Sequence, residues 1–197
     1  MERFVIAEVC STIAAWKESG KEINRVSINI SLVTILQEGF VEYILHHLDT
    51  FNLSGSFLEL EVTERMVMKN EEEVNTILQE LRRNGIHISI DDFGTGYSSL
   101  SYLYKLNVDT LKIDQSFIRS IENNREVISA ILSLADSLKM KVIAEGVETK
   151  REIELLQELG CTDVQGYYYS PPVPKELFEE KWMAGKHAGL SSKANTA

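Results

Sequence analysis

The residues with most chemical potential are two adjacent carboxylates, Asp91 and Asp92, in the segment Ile86 to Leu100, IHISIDDFGTGYSSL. Ile86, Ile88 and Ile90 alternate with His87, Ser89 and Asp91, the period-two pattern of a strand with one apolar and one polar face. Asp91 closes the polar face, Asp92 follows where the chain leaves the strand, and a glycine-hinged loop comes next. Neighbouring carboxylates repel each other and lose hydration, so a positive group belongs between them, and a divalent cation meets that need. Asp and Gly are also ordinary turn residues. On these residues alone a cation site and a solvated turn stand level.

Five further runs bear on the choice. RVSINIS at 25–31 sets Val26, Ile28 and Ile30 against Ser27, Asn29 and Ser31. FLELEVTE at 57–64 sets Leu58, Leu60 and Val62 against Glu59, Glu61 and Thr63. DTLKID at 109–114 sets Leu111 and Ile113 against Thr110, Lys112 and Asp114. KVIAEGVE at 141–148 is mostly apolar and ends in Glu145, with Glu148 shortly after, and TDVQGY at 162–167 places Gln165 late. Polar groups thus recur at the ends of successive strands.

Helical spacing separates these runs: Val5, Val9, Ile13 and Trp16; Val74, Ile77, Leu78 and Leu81; Val127, Ile128, Ile131, Leu132 and Ala135. Thr149 with Glu152 fits a capping box, and Gly85 and Gly160 stand where helices should stop. Helix, then strand and helix in repetition, implies a parallel sheet with helices outside. Central strands of an open doubly wound sheet read as continuous apolar runs. These strands have one polar face, which suits a TIM-type (β/α) barrel whose catalytic groups cluster at the C-terminal strand ends. Asn29, Glu61, Asp91, Asp92, Lys112, Glu145 and Gln165 lie at or near such ends, which favours a site over a turn.

The chain has 197 residues, 44% of them hydrophobic, enough for one globular domain with a sizeable core. No apolar run approaches the ~20 residues of a membrane span, and no signal peptide precedes the first helix. Cys10 and Cys161 are isolated, which fits a reduced, cytoplasmic compartment and gives neither a metal-ligand neighbour. His46 and His47 fall on a helix and His187 in the tail. Only His87 faces the interior, where a core role outweighs a ligand role. A net charge of −10 argues against duplex nucleic acid, while a small anion bridged by metal ions stays compatible. Residues 185–197 are small and polar and read as a disordered tail after a domain spanning 1–184.

The chain resembles the EAL family of bacterial cyclic di-GMP phosphodiesterases. The resemblance rests on NIS at 29–31, LELEVTE at 58–64, DDFGTGYSSLSYL at 91–103, LKID at 111–114, AEGVET at 144–149 and QGYYYSPPVP at 165–174. It implies hydrolysis of one phosphodiester bond of cyclic di-GMP, giving linear pGpG, with two Mg²⁺ or Mn²⁺ ions. By the same resemblance Asn29, Glu61, Asp91 and Asp92 are metal positions, with Asp91 bridging. Asn29, Glu61 and Asp91 would supply part of one coordination shell, and Asp91, Asp92 and Glu145 part of the other. Lys112 lies near the attacking water and phosphate, Glu145 is a base or metal ligand, Glu148 its supporting carboxylate, and Gln165 completes the site. Glu64 anchors the loop from Asp92 to Ser99, and Asp114 falls on a substrate-binding position.

The departures are as specific as the agreement. No Glu-Ala-Leu string occurs, residues 2–19 match the helix that follows it in the family, and six strands are counted where a barrel has eight and about 250 residues. Pro171 stands where a basic residue is usual. An internal start, a trimmed chain or a shortened gene would each account for this. Three readings stay open: an impaired phosphodiesterase, a cyclic di-GMP-binding or dimerising module without turnover, and a fragment that folds only partly. The strands at 25–31 and 162–167 should form unpaired edges, so self-association, such as a homodimer, is expected; the resemblance implies Leu100 to Leu106 as a second contact, since the family dimerises through the region after DDFGTGYSSL.

Overall fold

A computed structural model describes residues 1–69, 71–96 and 103–183, without the side chains of 67–69 and 71. The expected tail at 185–197, the loop beyond Gly96 and the contact expected from Leu100 to Tyr102 lie outside the described residues. The elements are α1 (Glu2–Glu18), β1 (Val26–Asn29), α2 (Leu32–Ile35), α3 (Phe40–Thr50), β2 (Leu58–Thr63), α4 (Glu64–Lys69), α5 (Glu71–Arg83), β3 (His87–Phe93), β4 (Thr110–Ile113), α6 (Gln115–Arg119), α7 (Ile121–Ser137), β5 (Lys141–Ala144), α8 (Lys150–Glu158), β6 (Asp163–Val164) and α9 (Lys175–Phe178).

The six strands form one parallel sheet in the order β1-β2-β3-β4-β5-β6, a half-barrel with helices on its outer side. Every neighbour is the next strand in sequence, the order expected where parallel strands are joined by single crossovers. Register carries one polar face across β1 to β4: Asn29 opposes Glu61, Glu61 opposes Ser89, Thr63 opposes Asp91, and Ser89 opposes Thr110. On the other face Ile28, Leu58, Leu60, Val62, Ile88, Ile90, Leu111 and Ile113 are buried in the core beneath the helices. The Thr149 hydroxyl accepts from the Glu152 N–H at 3.3 Å while the Glu152 carboxylate accepts from the Thr149 N–H at 2.9 Å, so α8 starts on the expected capping box. Gly85 and Gly160 follow α5 and α8 at φ +82° and +89°, the left-handed closures that glycine adopts without a Cβ penalty.

Three local expectations change. The edge strands are shorter than 25–31 and 162–167, since each has a ladder partner on one side only. Pairing still continues past both, with the Ile30 N–H donating to Glu61 O at 2.9 Å and the Gln165 N–H to Ala144 O at 2.8 Å. β3 runs two residues beyond Asp91, to Phe93, through a break in its register with β4 between Ile90 and Phe93. In α1 the buried stripe is Ile6, Cys10, Ile13 and Trp16, whereas Val5 is exposed. Packing against α3 sets this rotation, with the Tyr43 hydroxyl donating to Arg3 O at 2.9 Å.

The exposed side of α1, with Phe4 and Val5, borders a cavity of about 1290 Å³ that lies between the edges β1 and β6. The C-terminal segment folds back to bound it: the Trp16 indole N–H donates to Glu179 at 2.8 Å, and Lys21 pairs with the same carboxylate at 2.7 Å. Among the described residues no helix is long and apolar enough to cross a membrane.

Candidate active site

The site lies where β2, β3, β4 and β5 end. Lys112 projects from the polar face of β4 and is 2% exposed. Its ammonium donates to Glu61 Oε2 at 2.7 Å and sits 2.7 Å from Glu145 Oε1 and 3.5 Å from Asp91 Oδ1. A buried ammonium survives only with such partners. Burial alone would depress its pKa, but the bonds to Glu145 and Glu61 outweigh burial and hold it well above the ordinary lysine range.

Glu145 follows β5 directly, and its N–H still pairs with Ile113 O at 3.1 Å, which fixes the carboxylate beside Lys112. The chain then turns at Gly146, φ +69°, where a Cβ would fall 2.4 Å from that of Gln115. Burial, reinforced by the neighbouring Asp91 carboxylate and opposed by Lys112, pushes the Glu145 pKa up to about 7.

Asp92 owes its position to strain. Strict alternation would turn it toward the helices, yet it adopts φ +55°, a left-handed conformation uncommon outside glycine. One carboxylate oxygen each from Asp91, Asp92 and Glu145 consequently lie within 4.8 Å of one another. Three hard oxygen donors in that space suit Mg²⁺, Mn²⁺ or Ca²⁺ and are poorly matched to softer ions. Burial first, then the Asp91 and Asp114 carboxylates, raise the pKa of Asp92 against a partial opposing effect of Lys112, the signature of negative groups held close together.

Glu64, buried at the start of α4, accepts from the Gly94 N–H at 3.0 Å, and a Cβ at Gly96 would lie 2.7 Å from its Oε1. It therefore grips the first turn of the loop that leaves β3. Asp114 caps α6, accepting from the Ser116 N–H at 2.9 Å and from the Ser116 hydroxyl.

The remaining candidates stand apart. Asn29 is exposed on edge strand β1, although in register with Glu61. Gln165 is exposed and borders the cavity between the sheet edges. Glu148 points to Arg119, 3.6 Å away, with half its side chain in solvent. His87 has the core role expected, its Nε2 3.0 Å from Thr110 Oγ1 and its Nδ1 3.7 Å from Asp109 Oδ2. That hydroxyl–imidazole–carboxylate line is no nucleophilic triad, because Thr110 is shut from solvent. Sequence reading gave no role to Ser89, whose hydroxyl is fully buried without a hydrogen-bond partner next to Glu61 in register. The one signal was its place on the polar face between His87 and Asp91.

The EAL domain profile matches residues 1–172. The cyclic di-GMP phosphodiesterase NbdA of Pseudomonas aeruginosa is 40% identical over 183 residues, which are 91% of this chain and 23% of NbdA. The chain thus spans about a quarter of that relative's length. The phosphodiesterase PaMucR, solved as a complex with c-di-GMP, superposes with a TM-score of 0.84 at 37% identity, covering 89% of this chain and 72% of that one. BlrP1 of Klebsiella pneumoniae, solved with manganese and the same dinucleotide, gives 0.75 at 29% identity, covering 87% and 45%. With its fold, its strand-end carboxylates and its sequence in agreement, the chain belongs to the EAL domain family.

Proposed function

We propose that this domain binds cyclic di-GMP and hydrolyses one of its phosphodiester bonds to give linear pGpG. The observation that carries this reading is the grouping of Asp91, Asp92 and Glu145 around a buried Lys112 at the C-terminal end of a parallel sheet. Asp91, Asp92 and Glu145 would hold a divalent cation, Mg²⁺ or Mn²⁺, with Asn29 and Glu61 nearest to a second position. Such an ion polarises phosphoryl oxygens and makes a bound water acidic enough to serve as nucleophile.

The chain's own residues do the rest. Lys112 supplies a fixed positive charge where negative charge grows on the phosphoryl group. Glu145 has its pKa raised to about 7 in the metal-free protein, chiefly by burial, and would be held ionised as a ligand once a cation is bound. Glu64 holds the Gly94 amide and so fixes the turn after Asp92, and Asp114 keeps α6 at the rim. Glu148, paired with Arg119, and Gln165, at the cavity between the sheet edges, would act at the rim of the site rather than on Glu145 itself. A cytoplasmic location and a homodimer complete this reading, since the substrate is an intracellular dinucleotide and both sheet edges are open.

The second reading, binding without turnover, draws on the exposure of Asn29 and Gln165 at those two open edges. An open wall admits water and weakens Lys112, so turnover by the isolated 197-residue chain should be slow. The test is pGpG production from cyclic di-GMP with Mn²⁺ or Mg²⁺, alongside calorimetric titration with Mn²⁺. Product formation and Mn²⁺ binding by the wild type, both lost in the Asp91→Ala, Asp92→Ala double variant, are expected. Binding of the dinucleotide with no product would establish the second reading. Equal Mn²⁺ binding by wild type and double variant would refute the site itself.

A further inference from the structure

A second group of charged side chains lies at the other end of the sheet, where β3, β4 and β5 begin. Arg82, His87, Asp109, Lys139 and Lys141 border a cavity of about 580 Å³ there, and Leu106, Val108 and Met140 give it an apolar wall. Asp109 is committed inside the protein. Its Oδ1 accepts from Arg82 Nε at 3.1 Å and Nη2 at 2.6 Å, and its Oδ2 accepts from the Ile88 N–H at 3.0 Å. Burial keeps the His87 pKa below its ordinary value, so the imidazole is neutral at pH 7 and adds no charge. Lys139 and Lys141 are exposed and have no carboxylate partner among the described residues. Two uncompensated ammonium groups therefore border one cavity on a chain whose net charge is −10.

The backbone keeps one of these lysines in place at a cost. Lys139 stands at φ +59°, the left-handed stop after α7 that Gly20, Gly85 and Gly160 fill after α1, α5 and α8. A side chain in that conformation costs about 1 kcal/mol or more against glycine. The turn still closes, with the Lys139 N–H donating to Asp136 O at 3.0 Å and the Met140 N–H to Ala135 O at 2.9 Å. Glycine would end the helix with less strain and leave the cavity one cation short. The volume falls within the roughly 300–1,000 Å³ of small-molecule sites and exceeds what an inorganic ion needs. Two ammonium groups favour a doubly charged anion. Buried Leu106 and Val108, with the Tyr104 ring exposed beside them, offer surface to a flat ring. We infer that this end of the sheet is a binding site for a phosphate monoester carried on a planar ring, with Lys139 and Lys141 on the phosphate and Tyr104, Leu106 and Val108 against the ring. None of these residues belongs to the candidate active site, and the inference does not depend on the proposed hydrolysis.

The experiment is titration with AMP followed by amide NMR, in EDTA so that no cation draws the nucleotide to Asp91 and Asp92. Adenosine and inorganic phosphate are titrated separately. The wild type should bind AMP with a Kd on the order of 1 mM or below, more tightly than either part alone. The amides of Leu106, Val108, Lys139 and Lys141 should move, and those of Glu145 and Gly146 should not. The Lys139→Gln, Lys141→Gln double variant should bind AMP about tenfold more weakly or worse, as expected for removing two positive charges beside a phosphate. Lys139→Gly should weaken AMP binding several-fold and yet raise the melting temperature, a pairing that a merely structural lysine would not produce. No shift at about 10 mM AMP, shifts confined to the C-terminal strand ends, or phosphate bound as tightly as AMP would each overturn the inference. Unchanged AMP affinity in the double-lysine variant would do the same. Because no divalent cation is present, either result leaves the proposed hydrolysis standing.

Discussion

Glu145 gives the metal-free protein a pH dependence whose sign can be worked out. Its folded pKa of about 7 lies above the ordinary 4.5, so between those values the folded state binds its proton more tightly than the unfolded chain does. Stability then decreases with rising pH wherever the native state holds more protons. The Glu145 contribution is fully present below about pH 4.5 and is lost as pH climbs through about 7. A difference of this size has a ceiling of roughly 3 kcal/mol, taking about 1.4 kcal/mol for each pH unit. The side chain keeps 17% exposure, and solvent screening there brings the effect to about 1–2 kcal/mol.

The perturbation is Glu145→Gln, which preserves shape and removes the titration. Urea unfolding of EDTA-treated protein near pH 5 and near pH 8 should show a fall in wild-type stability that the variant lacks. Titrating groups far from Glu145 affect both proteins alike and cancel in the difference between them, whereas its neighbours Asp91, Asp92 and Lys112 are coupled to it and remain in that difference. With Mn²⁺ present the bound ion holds Glu145 ionised and the wild-type dependence should reverse. Identical pH dependence in wild type and Glu145→Gln without metal would refute the assignment of a raised pKa to this residue.

Gly146→Ala should destabilise the protein by roughly 1–3 kcal/mol, because the left-handed backbone and the 2.4 Å approach to Gln115 both oppose a Cβ; chemical denaturation measures it, and a neutral result would show that α6 shifts freely. The isolated chain should self-associate through the open edge β1, which has no proline or bulge to block a new partner strand; sedimentation velocity showing a monodisperse monomer at high concentration would oppose this.

The alternating strands were legible because burial on one face imposes a period of two, and Val26, Ile28, Leu58, Leu60, Ile88 and Leu111 keep it. The α8 capping box and the glycine stops were legible because their chemistry is local to a few residues. The rotation of α1 was not. That helix carries two overlapping apolar stripes, and the docking of α3 buries Ile6 and Cys10 fully while Val9 is half-buried and Val5 is left exposed. The same distinction runs through the site. Parallel register places Glu61, Asp91, Lys112 and Glu145 at one end of the sheet, and strand ends can be read from sequence. The approach of Asp92 depends on a register break against β4 and a positive φ that no spacing encodes. The contact of one ammonium with Glu61, Glu145 and Asp91 depends on three neighbouring strands at once. Sequence thus names the donors, while tertiary packing decides how they stand around Lys112. That arrangement bears on chemistry, because a carboxylate bonded to an ammonium and one without such a partner differ in basicity and freedom to move.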